Sequence, residues 1–203
     1  MLELFEFPLS GNCHKVRLML SALKLGYKST LLNGAAKEQK SAEFLALNPF
    51  GQVPVLKDGN VIIRDSQAIL VYLARAYGDD AWFPAEAAQA AAVTAWLSTA
   101  ANEVVRGPNA LRLHYKFGRA INREEASLIT QNLLVLLNEH LAQHNWLATP
   151  KMSIADLAVY PYIALAHEGQ VDLAPFVHVK NWLSRIELFS WFVPMPGIQL
   201  QAH

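Results

Sequence analysis

A chain of 203 residues with 53% hydrophobic and 17% charged side chains is long enough for one large domain or two small ones and too apolar for intrinsic disorder. Its 17 Lys and Arg balance 17 Asp and Glu, which excludes the global basic field that recruits nucleic acid or an acidic membrane surface. A single cysteine excludes an internal disulfide or a cysteine-based zinc site. With no apolar run near the ~20 residues of a membrane span and no signal-peptide pattern, the expectation is a cytoplasmic protein.

In chain order, the alternation Leu2–Phe7 predicts a strand. From Gly11 to Gly26, apolar Val16, Met19, Leu20 and Leu23 form the stripe of an amphipathic helix, with Gly26 as its stop. Tyr27 to Leu32 predicts a second strand, so the first three elements form a βαβ unit with parallel strands. A polar loop over 33–40 leads to a short helix through Glu43, Phe44, Leu45 and Leu47. Val53 to Leu56 and Val61 to Ile63 around Asp58-Gly59 predict a hairpin, and a further helix runs from Ser66 to Gly78. The order βαβαββα is that of a thioredoxin-like α/β domain over 1–78.

Residues 79–86 predict a linker whose Trp82 and Phe83 dock on both halves, and 87–203 reads as wholly helical. Residues 86–118 form one Ala-rich helix or two broken at Gly107-Pro108. The helix over 123–143, with Leu128, Leu133–Leu137 and Leu141, is expected to be central; 153–167 and 177–189 predict two more, the last with Trp182, Leu183 and Ile186 inward. Nine Lys and Arg against six Asp and Glu over 1–78 give the first half a small positive balance that suits an anionic ligand.

Chemistry concentrates at Pro8–Arg17, where a strand, a polar turn and a helix N-terminus bring backbone N–H groups and the Ser10 hydroxyl together. Ser10 has no histidine–acid partner arrangement and no flanking elbow glycines, which argues against a serine hydrolase. Cys13 reads either as a reactive thiol at a helix N-terminus or as a small buried hydrophobe. Pro54 inside a hydrophobic run reads either as a trans edge proline or as a cis proline that frees Val53 to pair with an extended peptide. Asp65-Ser66 is a helix N-cap at minimum; its carboxylate and N–H groups also suit the ammonium and carboxylate of an α-amino acid. Ser153 to Asp156 is a capping box with a structural role. His140 and His144, i and i+4 with no third ligand spaced to join them, read as a solvated face, and no metal is expected.

Together these motifs resemble a cytosolic glutathione transferase of a bacterial branch, over essentially the whole chain. Ser10-Gly11-Asn12-Cys13-His14-Lys15-Val16-Arg17 is similar to the serine motif of theta- and zeta-type members, and Asn48–Leu56 is the most specific match. The resemblance implies a cis Val53-Pro54 bond. It also implies that Gln39, Lys40 and Gln52 meet the glycine end of glutathione, that Val53 pairs with its cysteinyl backbone, and that Asp65 and Ser66 hold its γ-glutamyl end. Gln39 stands where many relatives carry His, and Asp65 is one methylene shorter than the usual residue. The thiol would then point at Ser10, which acts as a donor to sulfur. Family architecture implies a pocket for a small apolar electrophile between Leu9 and a helix around Asn102, Val105, Arg106 and Asn109, with Arg106 either stabilising charge or pairing with Glu103. It also implies a homodimer. The alternatives are a glutathione-dependent thiol reductase using Cys13 and a non-enzymatic binding or assembly module.

Overall fold

The computed structural model describes residues 1–198; the last five residues of the expected helical stretch over 87–203 lie outside them. Strands β1 (Leu2–Glu6), β2 (Tyr27–Leu31), β3 (Val55–Asp58) and β4 (Val61–Arg64) form one mixed sheet in the order β2-β1-β3-β4. β1 runs parallel to β2, and β3 is antiparallel to both β1 and β4. Helices α1 (Gly11–Ala22), α2 (Ala42–Leu47) and α3 (Ser66–Tyr77) accompany the sheet. Then come α4 (Ala87–Ala101), α5 (Ala110–Phe117), α6 (Arg123–Gln143), α7 (Ile154–Ala164) and α8 (Val177–Glu187). The thioredoxin-like α/β part followed by an all-helical part is thus the observed architecture.

α1 packs on α3 along one side and on α7 along another. Leu4, Val16, Met19, Leu20, Leu56, Ile69, Leu70 and Leu73 are fully buried and merge with Ile154, Leu157, Val159, Ile163, Trp182 and Ile186 into one continuous core. At ~1.5–3 kcal/mol for each fully buried aliphatic side chain, this shared core fixes the position of α7 against α1. The stretch after α3 fastens the two parts. Trp82 C=O accepts the Ile154 N–H at 3.0 Å, and the Arg75 guanidinium lies 4.6 Å from the Phe83 ring centre. The tail crosses α1, where His14 Nε2 pairs with the Val193 carbonyl at 2.7 Å and Ser21 Oγ donates to the Trp191 carbonyl at 2.6 Å.

Several boundaries differ from the sequence pattern for identifiable reasons. α1 ends at Ala22, and the left-handed residue after it is Lys24 at φ 54°, not Gly26. Between α4 and α5 the break falls at Asn102, while Gly107 and Pro108 are carried in a π-helical turn over Val105–Asn109 that tolerates the missing N–H. α6 is amphipathic and not wholly inward: Leu133, Leu134, Leu137 and Leu141 are buried, but Leu128, Val135 and Leu136 are exposed. The most completely buried helix is α7, in which every residue from Ile154 to Ile163 is buried.

Candidate active site

The sheet register determines which loops meet. Phe5 pairs with Val55, which pairs with Arg64. The end of β1, the start of β3 and the end of β4 therefore share one edge of the sheet. That edge carries Ser10, Val53-Pro54 and Asp65-Ser66, together with the N-termini of α1 and α3. Aligned N-termini present unpaired N–H groups and a partial positive charge.

Ser10 is the N-cap of α1 and half-buried. Its Oγ accepts the Cys13 N–H at 3.3 Å, which leaves its own proton uncommitted to the backbone. Arginines brace the turn before it from two sides. Arg17, which also pairs with buried Glu6, donates to the Pro8 carbonyl at 3.2 Å. Arg112 of α5 donates to the Leu9 carbonyl at 3.0 Å and is held by Glu168. Cys13 is fully buried on the inner face of α1, and burial pushes its thiol up to about 11.

The Val53-Pro54 bond is cis, the alternative that the sequence left open. Pro54 is buried, and Val53 stands before the first paired residue of β3, so its N–H and C=O lie outside the ladder. Asn48 organises the turn before it: Nδ2 donates to the Gln52 carbonyl at 2.7 Å and Oδ1 accepts the Phe50 N–H at 3.1 Å. Lys40 Nζ donates to the Phe50 carbonyl at 2.9 Å. A Cβ on Gly51, at φ +59°, would lie 2.7 Å from the Gln39 carbonyl oxygen and 2.6 Å from Lys40 Nζ. The glycine lets the turn over 38–40 approach this closely, and Gln39, Lys40 and Gln52 therefore gather beside Val53-Pro54.

Asp65 caps α3, its Oδ1 accepting the N–H groups of Gln67 at 2.9 Å and Ala68 at 3.1 Å. It does so at φ 74°, ψ 129°, a region that L-residues rarely adopt and that concentrates at functional sites. Ser66, buried beside it, donates to Gln67 Oε1 at 2.5 Å.

The expected electrophile-pocket residues divide. Leu9 and Asn109 lie on either side of Arg112: Leu9 is bonded to it, and buried Asn109 is one helical turn before it. Arg106 does not pair with Glu103. It pairs with Glu125 of α6, while Glu103 accepts the Asn102 side-chain amide at 2.9 Å. Asn102 and Arg106 thus belong to an exposed polar cluster against α6, and Val105 is half-buried between the two groups. A cavity of about 410 Å³ lies between α5 and α6, lined by Leu111, Tyr115, Thr130 and Phe176 among others, and one of about 500 Å³ between α4 and α6, lined by Trp96, Ile129, Leu133 and Leu136 among others. Neither is lined by Leu9 or Asn109.

Three side chains at this corner gave no sequence signal. Lys15 is fully buried on α1 with no hydrogen-bond partner for Nζ, which lies 5.6 Å from the Tyr162 ring centre. Burial lowers its ammonium to about 7, and the Asp65 carboxylate opposes that fall. Arg112 is the second, and Tyr162 of α7 is the third. Elsewhere, Ser153 and Asp156 form the expected capping box. His140 is not on a solvated face: it is half-buried, stacked on His144 at 4.4 Å and tilted against Trp96 at 5.3 Å. No group of three metal-ligating side chains occurs among the described residues, and none of their helices is long and apolar enough to cross a membrane.

Known proteins resemble this chain in sequence and fold. Residues 4–81 match the glutathione S-transferase N-terminal domain and residues 110–188 its C-terminal domain. Glutathione S-transferase 2 of Anopheles gambiae is 32% identical over 186 residues, covering 90% of this chain and 88% of its own. The disulfide-bond oxidoreductase YfcG of Escherichia coli is 30% identical over 199 residues, covering 92% and 90%. A crystal structure of a glutathione transferase homologue from Drosophila mojavensis with bound glutathione superposes with a TM-score of 0.85 at 28% identity, over 93% of this chain and 88% of that one.

Proposed function

Because the chain belongs to the glutathione S-transferase family, we propose that it is a serine-type transferase in which Ser10 stabilises the glutathione thiolate for attack on a small apolar electrophile. Glutathione lies extended along the sheet edge, its cysteinyl backbone paired to Val53 beside Pro54. Gln39, Lys40 and Gln52 meet its glycine end. Asp65 and Ser66 meet its γ-glutamyl end, Asp65 through the carboxylate oxygen not engaged by the Gln67 and Ala68 amides.

The energetics close without a general base. A free thiol near pKa ~8.5 is a minority thiolate at neutral pH, and lowering it by two units requires ~2.7 kcal/mol of preference for the anion. A hydrogen bond from Ser10 to a charged sulfur contributes ~1.5–3 kcal/mol, and the α1 N-terminus ~0.3–1 kcal/mol. The electrophile enters beside Leu9, with Asn109 at its rim and Val105 next to it; Asn102 and Arg106 stay in the exposed cluster against α6, where Arg106 is paired with Glu125. A homodimer is part of the proposal, and the exposed Val135 and Leu136 of α6 beside the α4–α6 cavity supply apolar surface for it.

One observation carries the choice of Ser10: the serine is only half-buried at the sheet edge, while Cys13 is fully buried and burial pushes its thiol up to about 11. The second reading, a glutathione-dependent disulfide reductase using Cys13, draws support from the name of the E. coli relative. Turnover of a transferase substrate panel and mass spectrometry of the glutathione-treated protein separate the two. The Ser10 mechanism predicts that Ser10→Ala lowers turnover about 10- to 100-fold, the loss of one hydrogen bond to a charged group, and that no glutathione adduct forms on Cys13. A one-to-one adduct, with reductase activity abolished in Cys13→Ser, would transfer the role to the thiol.

A further inference from the structure

Ser10 takes its setting from the peptide group before it, and a side chain from the helical part of the chain holds that group. The Leu9 carbonyl accepts a hydrogen bond from Arg112 Nη1 at 3.0 Å. The Ser10 N–H of the same peptide donates to the Phe7 carbonyl at 3.2 Å. Both sides of this peptide plane are therefore pinned. Arg112 is itself tightly held: its Nε donates to Glu168 Oε2 at 2.5 Å, and its guanidinium lies 5.3 Å from the Phe117 ring centre. Only 3% of the arginine side chain is exposed. Glu168 stands in the single turn over Ala166–Gly169 and also pairs with Lys116 of α5. Gly169 lets that turn lie close on α5, since a Cβ there would come within 3.0 Å of the Arg112 backbone nitrogen. Arg112 Nη2 is buried without a partner among the described residues. An unmet buried donor is costly, so the bridge from Glu168 to Leu9 is kept although the guanidinium is not saturated.

We propose that Arg112 is a positioning residue for Ser10: by bridging Glu168 and the Leu9–Ser10 peptide, it holds the hydroxyl where it donates to the glutathione sulfur. The proposal rests on the reading of Ser10 as the thiolate stabiliser. The turn over 7–10 lies between β1 and α1, outside the sheet ladder. A hydrogen bond weakens steeply once its angle degrades, so a donor on such a turn depends on the groups that hold the turn. Arg17, from the same part of the chain, secures the Pro8 carbonyl at 3.2 Å. Arg112 secures the next carbonyl, the one nearest Ser10. Without it the Leu9–Ser10 peptide is free to turn, and the serine with it. The planar fork of arginine offers separate donors to two acceptors at once, which the point charge of lysine does not reproduce. A second route would be a direct field on the sulfur from the charged cluster of Arg112, Lys116 and Glu168. The two routes differ in whether Ser10 is needed.

The test is a double-mutant cycle on the full chain, titrating the ultraviolet absorbance of bound glutathione thiolate in wild type, Ser10→Ala, Arg112→Met and the double variant. Arg112→Met is expected to lower the thiolate fraction below the midpoint about three- to tenfold, the span of one ordinary hydrogen bond, with glutathione affinity near wild type. The double variant should titrate like Ser10→Ala alone. A wild-type midpoint in Arg112→Met, alongside a shifted Ser10→Ala, overturns the role of Arg112 and leaves that of Ser10 standing; a lower unfolding temperature with that unmoved midpoint would make the bridge purely structural. Full additivity of the two shifts overturns it as well, because Arg112 would then act on sulfur without Ser10. An unshifted Ser10→Ala removes both. Arg112→Lys keeps a cation beside Glu168 and decides the matter if Arg112→Met fails to fold. A raised midpoint in Arg112→Lys supports the bridge, and a wild-type midpoint overturns it in favour of charge alone.

Discussion

Among the described residues, Ser10, Ser41 and Ser153 cap α1, α2 and α7, and the contrast between the caps of α7 and α1 shows how one local device serves stability in one place and chemistry in the other. At α7, Ser153 Oγ accepts the Ala155 N–H at 3.3 Å, and Asp156 accepts the N–H groups of Ser153 and Leu147 and the Trp182 indole, each at 3.0 Å. Ser153 and Asp156 are completely buried. At α1, the residue three after the cap is Cys13 and not an acid, Ser10 is only half-buried, and no carboxylate reaches back to the serine N–H, which donates instead to the Phe7 carbonyl at 3.2 Å. The first cap is closed by the protein's own side chains. The second is left open toward solvent, so a bound anion can complete it.

The most severe way to break the contrast is at the closed cap. Asp156→Ala would strand three buried donors, at ~1–3 kcal/mol for each unsatisfied group. A loss of about 3–5 kcal/mol is expected in urea or thermal unfolding, enough to unfold much of the population of a domain of ordinary stability. A loss below about 1 kcal/mol would show that water replaces the carboxylate and that the cap is not closed.

Protonation sharpens the same point. Burial raises the Asp156 carboxyl to about 6, and the hydrogen bonds from Ser153, Trp182 and Leu147 oppose that rise. The folded state therefore holds this proton more tightly than the unfolded chain, whose carboxyl titrates near ~3.9. The stabilising contribution is complete below about pH 4 and is lost as pH rises through about 6. Stability measured from pH 4 to 7 should fall by roughly 2–3 kcal/mol more in wild type than in Asp156→Asn. Parallel pH profiles would place the proton elsewhere.

At the open cap the effect on stability is smaller. Ser10→Ala should cost about 1 kcal/mol, the ordinary value of one N-cap, and leave the unfolding transition cooperative. A loss as large as that of Asp156→Ala would make the two caps equivalent.

Much of this contrast was readable in the sequence, because caps, turns and strand alternation are local. Ser10, Asp65 and Ser153 each announce a helix start, and Asp58-Gly59 announces the hairpin that brings Asp65 back to the sheet edge. Other features depend on what the chain meets after folding. No glycine marks the left-handed conformations of Lys24 and Asp65, where tertiary contacts override the local preference. Gly107-Pro108 leaves open one helix or two, and the π turn that carries Pro108 follows from how the chain packs. Arg106 has an acid three residues before it in Glu103, but its partner, Glu125, comes from another helix. Lys15, Arg112 and Tyr162 look like an ordinary helix cation, a second one and a core aromatic. They come close to Ser10 only because α7 packs on α1 and Arg112 of α5 reaches the Leu9 carbonyl in the turn before it.

The central claim is that Ser10 and the open end of α1 hold glutathione as its anion. Titration of the bound thiolate by its ultraviolet absorbance measures this directly. The account predicts a midpoint about two units below the ~8.5 of a free thiol in wild type and a rise of about one to two units in Ser10→Ala. A bound thiol that titrates like free glutathione in wild type, or a midpoint unmoved by Ser10→Ala, would contradict it.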